Sequence, residues 1–102
     1  MLDAAQKALR FTKGKTRRDL DGDEQLVLAL TRLIEILGEA AGKVSLEVCE
    51  RNPAIPWKDI IGTRNRLIHG YDDVNLDILW QILSTDLPTL VENLRSALNK
   101  ED

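Results

Sequence analysis

The apolar residues of this chain recur at intervals of three and four, which is the spacing of one face of an α-helix. The clearest pattern predicts a helix from about Asp23 to Lys43, with Asp21 or Asp23 as its N-cap. Its apolar stripe consists of Leu26, Ala29, Leu30, Leu33, Leu37, Ala40 and Ala41, widened by Val27, Ile34 and Ile36. A stripe covering about half the circumference predicts two partners, the helix's own bundle and a second subunit. Gly38 and Gly42, on its flank, would permit a close approach of that subunit.

Shorter helical patterns lie on either side of this helix. A first helix is predicted over about Leu2 to Lys13, and a charged loop follows from Gly14 to Gly22. Ser45 is expected to cap about one turn of helix before Asn52 and Pro53 end it.

A third main helix is predicted from about Trp57 to His69. Pro56 suits the first turn of a helix, and Gly70 suits a helix stop. The only histidine of the chain would then lie in the last helical turn, where unpaired carbonyl groups gather.

The C-terminal part is predicted to be one long helical element. A turn and helix cap are expected at Asp72, Asp73 and Asn75. The apolar rhythm then continues unbroken from Leu76 to Leu98, although Pro88 must interrupt the hydrogen bonding, so a kink or brief break is expected around Ser84 to Leu87. Residues 1–102 are therefore predicted to form one all-α domain, an antiparallel bundle of four or five helices.

Composition narrows the possible locations and chemistries. A chain of 102 residues is large enough for a single core. No apolar run approaches the roughly 18 residues that span a bilayer, and no charged segment precedes an apolar one as in a signal peptide. We therefore expect a cytoplasmic protein with no membrane partner. The single cysteine, Cys49, fits a reducing compartment, and thiol catalysis is disfavoured because no orienting group accompanies it.

Charge is distributed unevenly, although a net charge of -3 does not itself indicate a nucleic-acid-binding protein. Basic residues concentrate near the N-terminus, at Lys7, Arg10, Lys13, Lys15, Arg17 and Arg18. Acidic residues follow at Asp19, Asp21, Asp23 and Glu24. Two interpretations are open: a solvated loop whose acidic half favours the N-terminus of the next helix, or a basic segment that guides a polyanion to a nearby site.

The candidate chemistry lies in the segment from Arg64 to Tyr71. On a continuous helix, Arg64 falls in the middle of the apolar stripe, within about 60° of its apolar neighbours, and a buried guanidinium needs a partner. Asn65 and His69 are four residues apart and share a face, whereas Arg64 lies about 140° from His69. Two copies of this helix around a twofold axis would bring each Arg64 towards the other copy's histidine.

Arginine, histidine and a polar orienting group suffice for RNA cleavage by transesterification. An imidazole with an unperturbed pKa of about 6.5 can take the proton of a 2′-hydroxyl or give one to the leaving oxygen, and an arginine can stabilise the phosphate charge. A single histidine does not make a zinc site, and no metal or cofactor is predicted. Structural roles stay open as well: His69 as a helix cap, Asn65 as a cap or interhelical hydrogen bonder, and Arg64 in a buried ion pair with Glu39 or Glu35.

The same residues resemble a known family. Arg64, Asn65 and His69 match the Arg-x4-6-His motif of HEPN domains, and Tyr71 completes the longer Arg-x4-His-x-Tyr signature of the HepT toxins. Further segments read like HepT landmarks in HepT order: Ile36 to Ala41, Ile55 to Gly62, and Trp80 followed by Asp86, Leu87 and Pro88. The resemblance covers most of the chain and is weakest before about Asp23.

The resemblance implies a helical bundle that forms a homodimer, with the motifs of both protomers lining one cleft. It implies a metal-independent endoribonuclease toxin whose partner is a minimal nucleotidyltransferase (MNT) antitoxin. Arg64 and His69 would carry catalysis with support from Asn65, and Tyr71 would be the residue that the antitoxin adenylylates. Candidate supporting or substrate-binding residues are Arg32, Glu39 and Arg66. The competing hypothesis is a non-catalytic helical module that binds a partner or a nucleotide through the same dimer face.

Overall fold

The computed structural model describes residues 1–69 and 73–101, and all their side chains except those of residues 69, 100 and 101. The helices are α1 Leu2–Thr12, α2 Asp19–Gly22, α3 Glu24–Gly42, α4 Leu46–Arg51, α5 Trp57–Leu67, α6 Leu76–Gln81 and α7 Leu87–Glu101. Between them lie two short strands, β1 Ile68–His69 and β2 Asp73–Val74, and a π-helical turn, Ile82–Asp86. The predicted all-α bundle is confirmed. None of the described helices is both long and apolar enough to cross a membrane.

Helix α3 is the centre of the bundle, and α1 and α5 pack against it. Gly38 of α3 lies against the backbone of Ile60, and Glu35 lies beside Arg64, so α3 and α5 run antiparallel. The largest fully buried side chains are Leu20, Leu30, Leu67, Leu79 and Leu87. Each such burial stabilises the fold by about 1.5–3 kcal/mol relative to an exposed side chain. One apolar cluster thus joins residues from most of the helices.

Three predicted helix starts are confirmed by side-chain caps. The capping residues are Asp23, Ser45 and Asn75. The side-chain oxygen of each accepts a hydrogen bond of 3.0 to 3.2 Å from the backbone N–H three residues further on. These bonds satisfy amides that have no partner inside the helix. The end of α1 also agrees with expectation, because Gly14 adopts a φ of 77°, in the left-handed region that favours glycine.

The segment predicted as a charged loop, Gly14 to Gly22, contains the short helix α2. The amide of Thr16 donates to Asp19 Oδ2 at 2.6 Å, which shapes the turn before α2 and holds the pKa of Asp19 below its ordinary value. Arg17 contacts Asp21 at 2.9 Å and Asp77 of α6 at 2.8 Å. With Leu20 buried, this segment is attached to the bundle at two points, which the local charge pattern does not reveal.

Helix α5 ends two residues earlier than predicted. Ile68 is extended, with φ -104° and ψ 118°, and β1 pairs antiparallel with β2 through Ile68 opposite Val74 and His69 opposite Asp73. The amide of Asn75 donates to the carbonyl oxygen of Leu67 at 2.8 Å. This pairing, between residues four to six positions apart, replaces the last helical turn. The predicted stop at Gly70 and the part of the predicted turn at Asp72 lie outside the described residues.

The predicted break in the C-terminal element is confirmed and takes the form of the π-helical turn. Pro88 has no N–H, so the carbonyl of Ser84, four residues before it, lacks an α-helical donor. The amide of Leu87 instead donates to the carbonyl of Ile82, five residues back. The wider turn lets Ile82, Leu83 and Leu87 all remain buried, so the apolar rhythm continues across it.

Of the two glycines of α3, only Gly38 has a close neighbour among the described residues. A Cβ on Gly38 would lie 3.1 Å from the carbonyl oxygen of Ile60 in the same chain, whereas a Cβ on Gly42 would meet nothing within 4 Å. The close approach at Gly38 is therefore to α5, not to a second subunit. The outer part of the broad stripe is exposed at Ile36, and Leu28, outside that stripe, is exposed as well.

Candidate active site around Arg64

Arg64 lies on the solvent face of α5, not in the middle of the buried stripe. The helix buries Ile60, Thr63 and Leu67 and exposes Arg64, whose side chain is 61% accessible. The prediction of a buried arginine was wrong because the apolar arc of α5 is wider than the surface it packs on. Contact with Gly38 turns Ile60 inward, and Ile61 and Arg64 are left outside.

The guanidinium of Arg64 has one acidic neighbour on α3. Its Nε lies 3.5 Å from Oε2 of Glu35, a carboxylate that is mostly covered, with 25% of its side chain exposed. Of the two partners considered from the sequence, Glu35 is therefore the one found, and the pair is on the surface. A guanidinium has five N–H donors, so a contact at Nε leaves the two terminal nitrogens able to bind a phosphate in a bidentate manner.

Two of the three candidate supporting residues belong to the same cluster. Arg32 Nη1 lies 3.9 Å from Glu35 Oε2 and 3.6 Å from Glu39 Oε1. Glu35 is thus shared between Arg64 and Arg32, and it is the residue of the site that the sequence suggested only as an ion-pair partner. The spacing of residues 32, 35 and 39 on one face of α3 was the available signal.

Arg66 belongs to a different surface. Its Nη2 lies 3.9 Å from Asp86 Oδ2 in the π-helical turn. Both residues line a cavity of about 650 Å³ between α3, α5 and α7. The structure therefore does not bring Arg66 to Arg64, although the two residues are only two positions apart in α5.

The remaining motif residues are described only in part. Asn65 is exposed, and its side chain makes no hydrogen bond to the described part of the protein. His69 follows the end of α5 and lies in β1, so the separation of about 140° from Arg64, which assumes a continuous helix, does not apply. Its side chain, like the whole of Tyr71, lies outside the described set, and their convergence with Arg64 stays a prediction.

Exposed apolar side chains accompany the charged cluster. Ile61 precedes Arg64 on α5, Ile36 follows Glu35 on α3, and Leu28 is one helical turn before Arg32; all three are exposed. Large apolar side chains grouped around a polar site are typical of a surface that another molecule covers.

Comparison with known proteins places these observations in a family. A family model described as ribonuclease HepT-like matches residues 1–97. A "putative RNase" of Caldanaerobacter subterraneus subsp. tengcongensis is 34% identical over 101 residues, which cover 99% of this chain and 90% of the relative. A "putative RNase" of Methanocaldococcus jannaschii is 32% identical over 90 residues, covering 88% and 83%.

A third relative carries the family name. It is a "probable ribonuclease HepT" of Thermococcus cleftensis, 31% identical over 88 residues, which cover 86% of this chain and 80% of the relative. No solved structure matches the chain. The family match spans nearly the whole chain and agrees with the all-α bundle and with the motif on α5 and β1, so the chain belongs to the ribonuclease HepT-like family.

Proposed function

We propose that this protein is a metal-independent endoribonuclease and the toxin of a toxin-antitoxin pair. Membership of the ribonuclease HepT-like family supports the activity class. The observation that carries the proposal is the state of Arg64: it is exposed, held at Nε by Glu35, and has its terminal nitrogens available for a phosphate.

The proposed reaction is cleavage of RNA by transesterification. The 2′-hydroxyl oxygen attacks the adjacent phosphorus, and the bond from phosphorus to the 5′-oxygen breaks, which leaves a cyclic phosphate and a 5′-hydroxyl. His69 takes the proton of the 2′-hydroxyl and returns it to the departing oxygen. Arg64 stabilises the charge that grows on the phosphate oxygens, and Asn65 orients the phosphate or the histidine.

The proposed site is composite and forms in a homodimer. Each Arg64 would act with the histidine of the other protomer across a twofold axis. The exposed apolar residues beside Arg64, Ile61 above all, support this arrangement because they would be covered in the dimer.

His69→Ala and Arg64→Ala are each expected to reduce RNA cleavage at least about 100-fold, because each removes a group that acts in the transition state. The measurement is cleavage of total cellular RNA in EDTA, with circular dichroism to show that the helices are intact. The melting temperature of Arg64→Ala should change by only a few degrees, because an exposed ion pair contributes about 0–1 kcal/mol.

Glu35→Gln is the matched control for Arg64→Ala. It removes the same ion pair but keeps the guanidinium, so cleavage should stay within about tenfold of wild type. Equal losses of activity in Glu35→Gln and Arg64→Ala would mean that Arg64 has only a structural role. RNA left intact by the wild-type protein would favour the non-catalytic interaction module instead.

We further propose that an MNT-type nucleotidyltransferase neutralises the protein by adenylylating Tyr71. Each AMP would add a phosphodiester charge near the site where the RNA phosphate binds, and like charges about 5–8 Å apart repel by roughly 2–3 kcal/mol at an effective dielectric constant near 20. Tyr71→Phe should cleave RNA like wild type and escape neutralisation. Intact-mass measurement after incubation with the partner and ATP tests this, and AMP adducts on Tyr71→Phe would place the modification elsewhere.

A further inference from the structure

A second concave surface lies between α1, α6 and α7, and the described residues that line it include none from α3 or α5. It is an open groove of about 670 Å³, which we call the α1–α7 groove. Its lining residues are Gln6, Leu9, Arg10, Thr12, Lys13, Trp80, Leu83, Ser84, Val91 and Arg95. The floor is apolar, with Leu83 and Val91 buried, and the walls are polar or basic.

The charge of this groove is opposite to that of the whole protein. Among the described residues, three cations line it and no acidic residue does, although the net charge of the chain is -3. Arg10, Lys13 and Arg95 are exposed, and none of them has an ion-pair partner among the described residues. By contrast, Arg17 and Arg64 each contact a carboxylate. Two unpaired cations of the N-terminal basic segment, Arg10 and Lys13, thus converge with Arg95 of α7.

The groove also contains a flat aromatic surface and neutral hydrogen-bonding groups. Trp80 is half-buried beside the exposed Ser84. The Ser84 hydroxyl donates to the carbonyl of Trp80 at 2.7 Å, and the Thr12 hydroxyl donates to that of Ala8 at 2.9 Å. Both oxygens are therefore oriented by the protein while keeping lone pairs that accept from a ligand, and Gln6 offers both donors and an acceptor.

We propose that the α1–α7 groove binds a single-stranded segment of RNA, with its phosphates on Arg10, Lys13 and Arg95 and a base stacked on Trp80. A basic channel with an aromatic surface is the general design for single-stranded nucleic acid, because the cations follow the backbone and any base can stack. The choice of RNA as the ligand rests on the proposed ribonuclease function. The groove would hold a part of the RNA that lies away from the reacting phosphate.

The test is binding of a fluorescein-labelled oligouridylate of twelve nucleotides in EDTA, by fluorescence anisotropy over a range of salt concentrations. All proteins carry His69→Ala so that the RNA stays intact. The triple variant Arg10→Gln, Lys13→Gln, Arg95→Gln should bind at least about tenfold more weakly at low salt. The slope of log K against log salt concentration should become smaller in magnitude by about 2, because each of three lost phosphate contacts on a single strand contributes roughly 0.7 to that slope.

A second triple variant controls for net charge. Arg18→Gln, Lys43→Gln, Lys58→Gln removes the same charge from exposed positions outside the groove, and its salt slope should equal that of the parent. Equal losses of affinity in both triples would overturn the proposal, because long-range charge would then explain binding. So would a groove triple that binds RNA like the parent, the result expected if the groove serves only an acidic protein partner.

Tryptophan fluorescence gives an independent readout of the aromatic contact. The chain has two tryptophans, and Trp57 is bonded through Nε1 to the carbonyl of Asn52, outside the groove. Oligouridylate should quench the fluorescence of Trp57→Phe and leave that of Trp80→Phe nearly unchanged; the reverse pattern would refute the stacking. These experiments measure binding alone. A wild-type protein that binds RNA in the groove without cutting it would refute the proposed ribonuclease function and leave the proposed RNA-binding groove standing.

Discussion

Gly38 is the residue through which α3 and α5 contact each other by their backbones. A Cβ there would lie 3.1 Å from the carbonyl oxygen of Ile60 and 3.7 Å from that of Ile61. These oxygens belong to a helix and cannot move independently of it. Gly38→Ala should therefore destabilise the fold by about 1–3 kcal/mol, as for other overpacked sites, although alanine is the better helix former. Urea denaturation followed by circular dichroism measures this change.

Gly62, in the interior of α5, provides the comparison. A Cβ at this position would meet nothing within 4 Å. Gly62→Ala should therefore stabilise the protein by about 0.5–1 kcal/mol through helix propensity alone. A stabilising Gly38→Ala would show that the two helices separate at little cost, and close packing against α5 would then not explain a glycine in the middle of α3.

At the scale of helices and strands, the features that could be predicted from the sequence are those that depend on residues within one helical turn. Asp23, Ser45 and Asn75 each act on an amide three residues away, so the starts of α3, α4 and α6 could be predicted. The break before α7 could also be predicted, because Pro88 acts on its own turn.

Elements that depend on distant partners could not be predicted in the same way. One such element is α2, which is attached through Arg17 to Asp77, sixty residues away. The end of α5 depends on a nearer partner, the pairing of β1 with β2 four to six residues further on, which helical periodicity does not predict. The side of α5 on which Arg64 lies depends on its contact with α3, which periodicity within one helix does not contain. The motif residues of the site were therefore found from the sequence, whereas the choice of Glu35 over Glu39 as the partner of Arg64 needed the packing.

For the whole molecule, the surface around Arg64 predicts the oligomeric state. Ile61 is 50% exposed beside the charged cluster, and Leu98 on α7 is 52% exposed. If the Arg64 face forms a homodimer, Ile61→Glu should yield monomers and abolish cleavage, because it buries an unpaired charge in the interface. Leu98→Glu should remain dimeric and active. Light scattering at micromolar concentration, with the RNA assay in parallel, distinguishes these outcomes.

Mixing two inactive proteins tests whether the dimer site is composite. If each Arg64 acts with the other protomer's histidine, a dimer of Arg64→Ala with His69→Ala has one intact site out of two. Random pairing should then restore about a quarter of wild-type cleavage. Mixtures that stay inactive after exchange of subunits would place both residues of a site within one protomer.

The π-helical turn decides how this fold tolerates a change in chain length. A π-helical turn holds about one residue more than an α-helical turn, so removing one residue from Ile82–Asp86 would give a continuous α-helix and leave α6 in nearly the same rotation relative to α7. Trp80 would then keep its place in the α1–α7 groove, and the buried leucines of α7 would keep theirs. The deletion would instead cost stability, about 3 kcal/mol, because Pro88 would then stand in the interior of an α-helix, where its ring meets the carbonyl four residues before it. Loss of one residue at this turn therefore preserves both surfaces of the protein and is tolerated best when Pro88 is replaced at the same time.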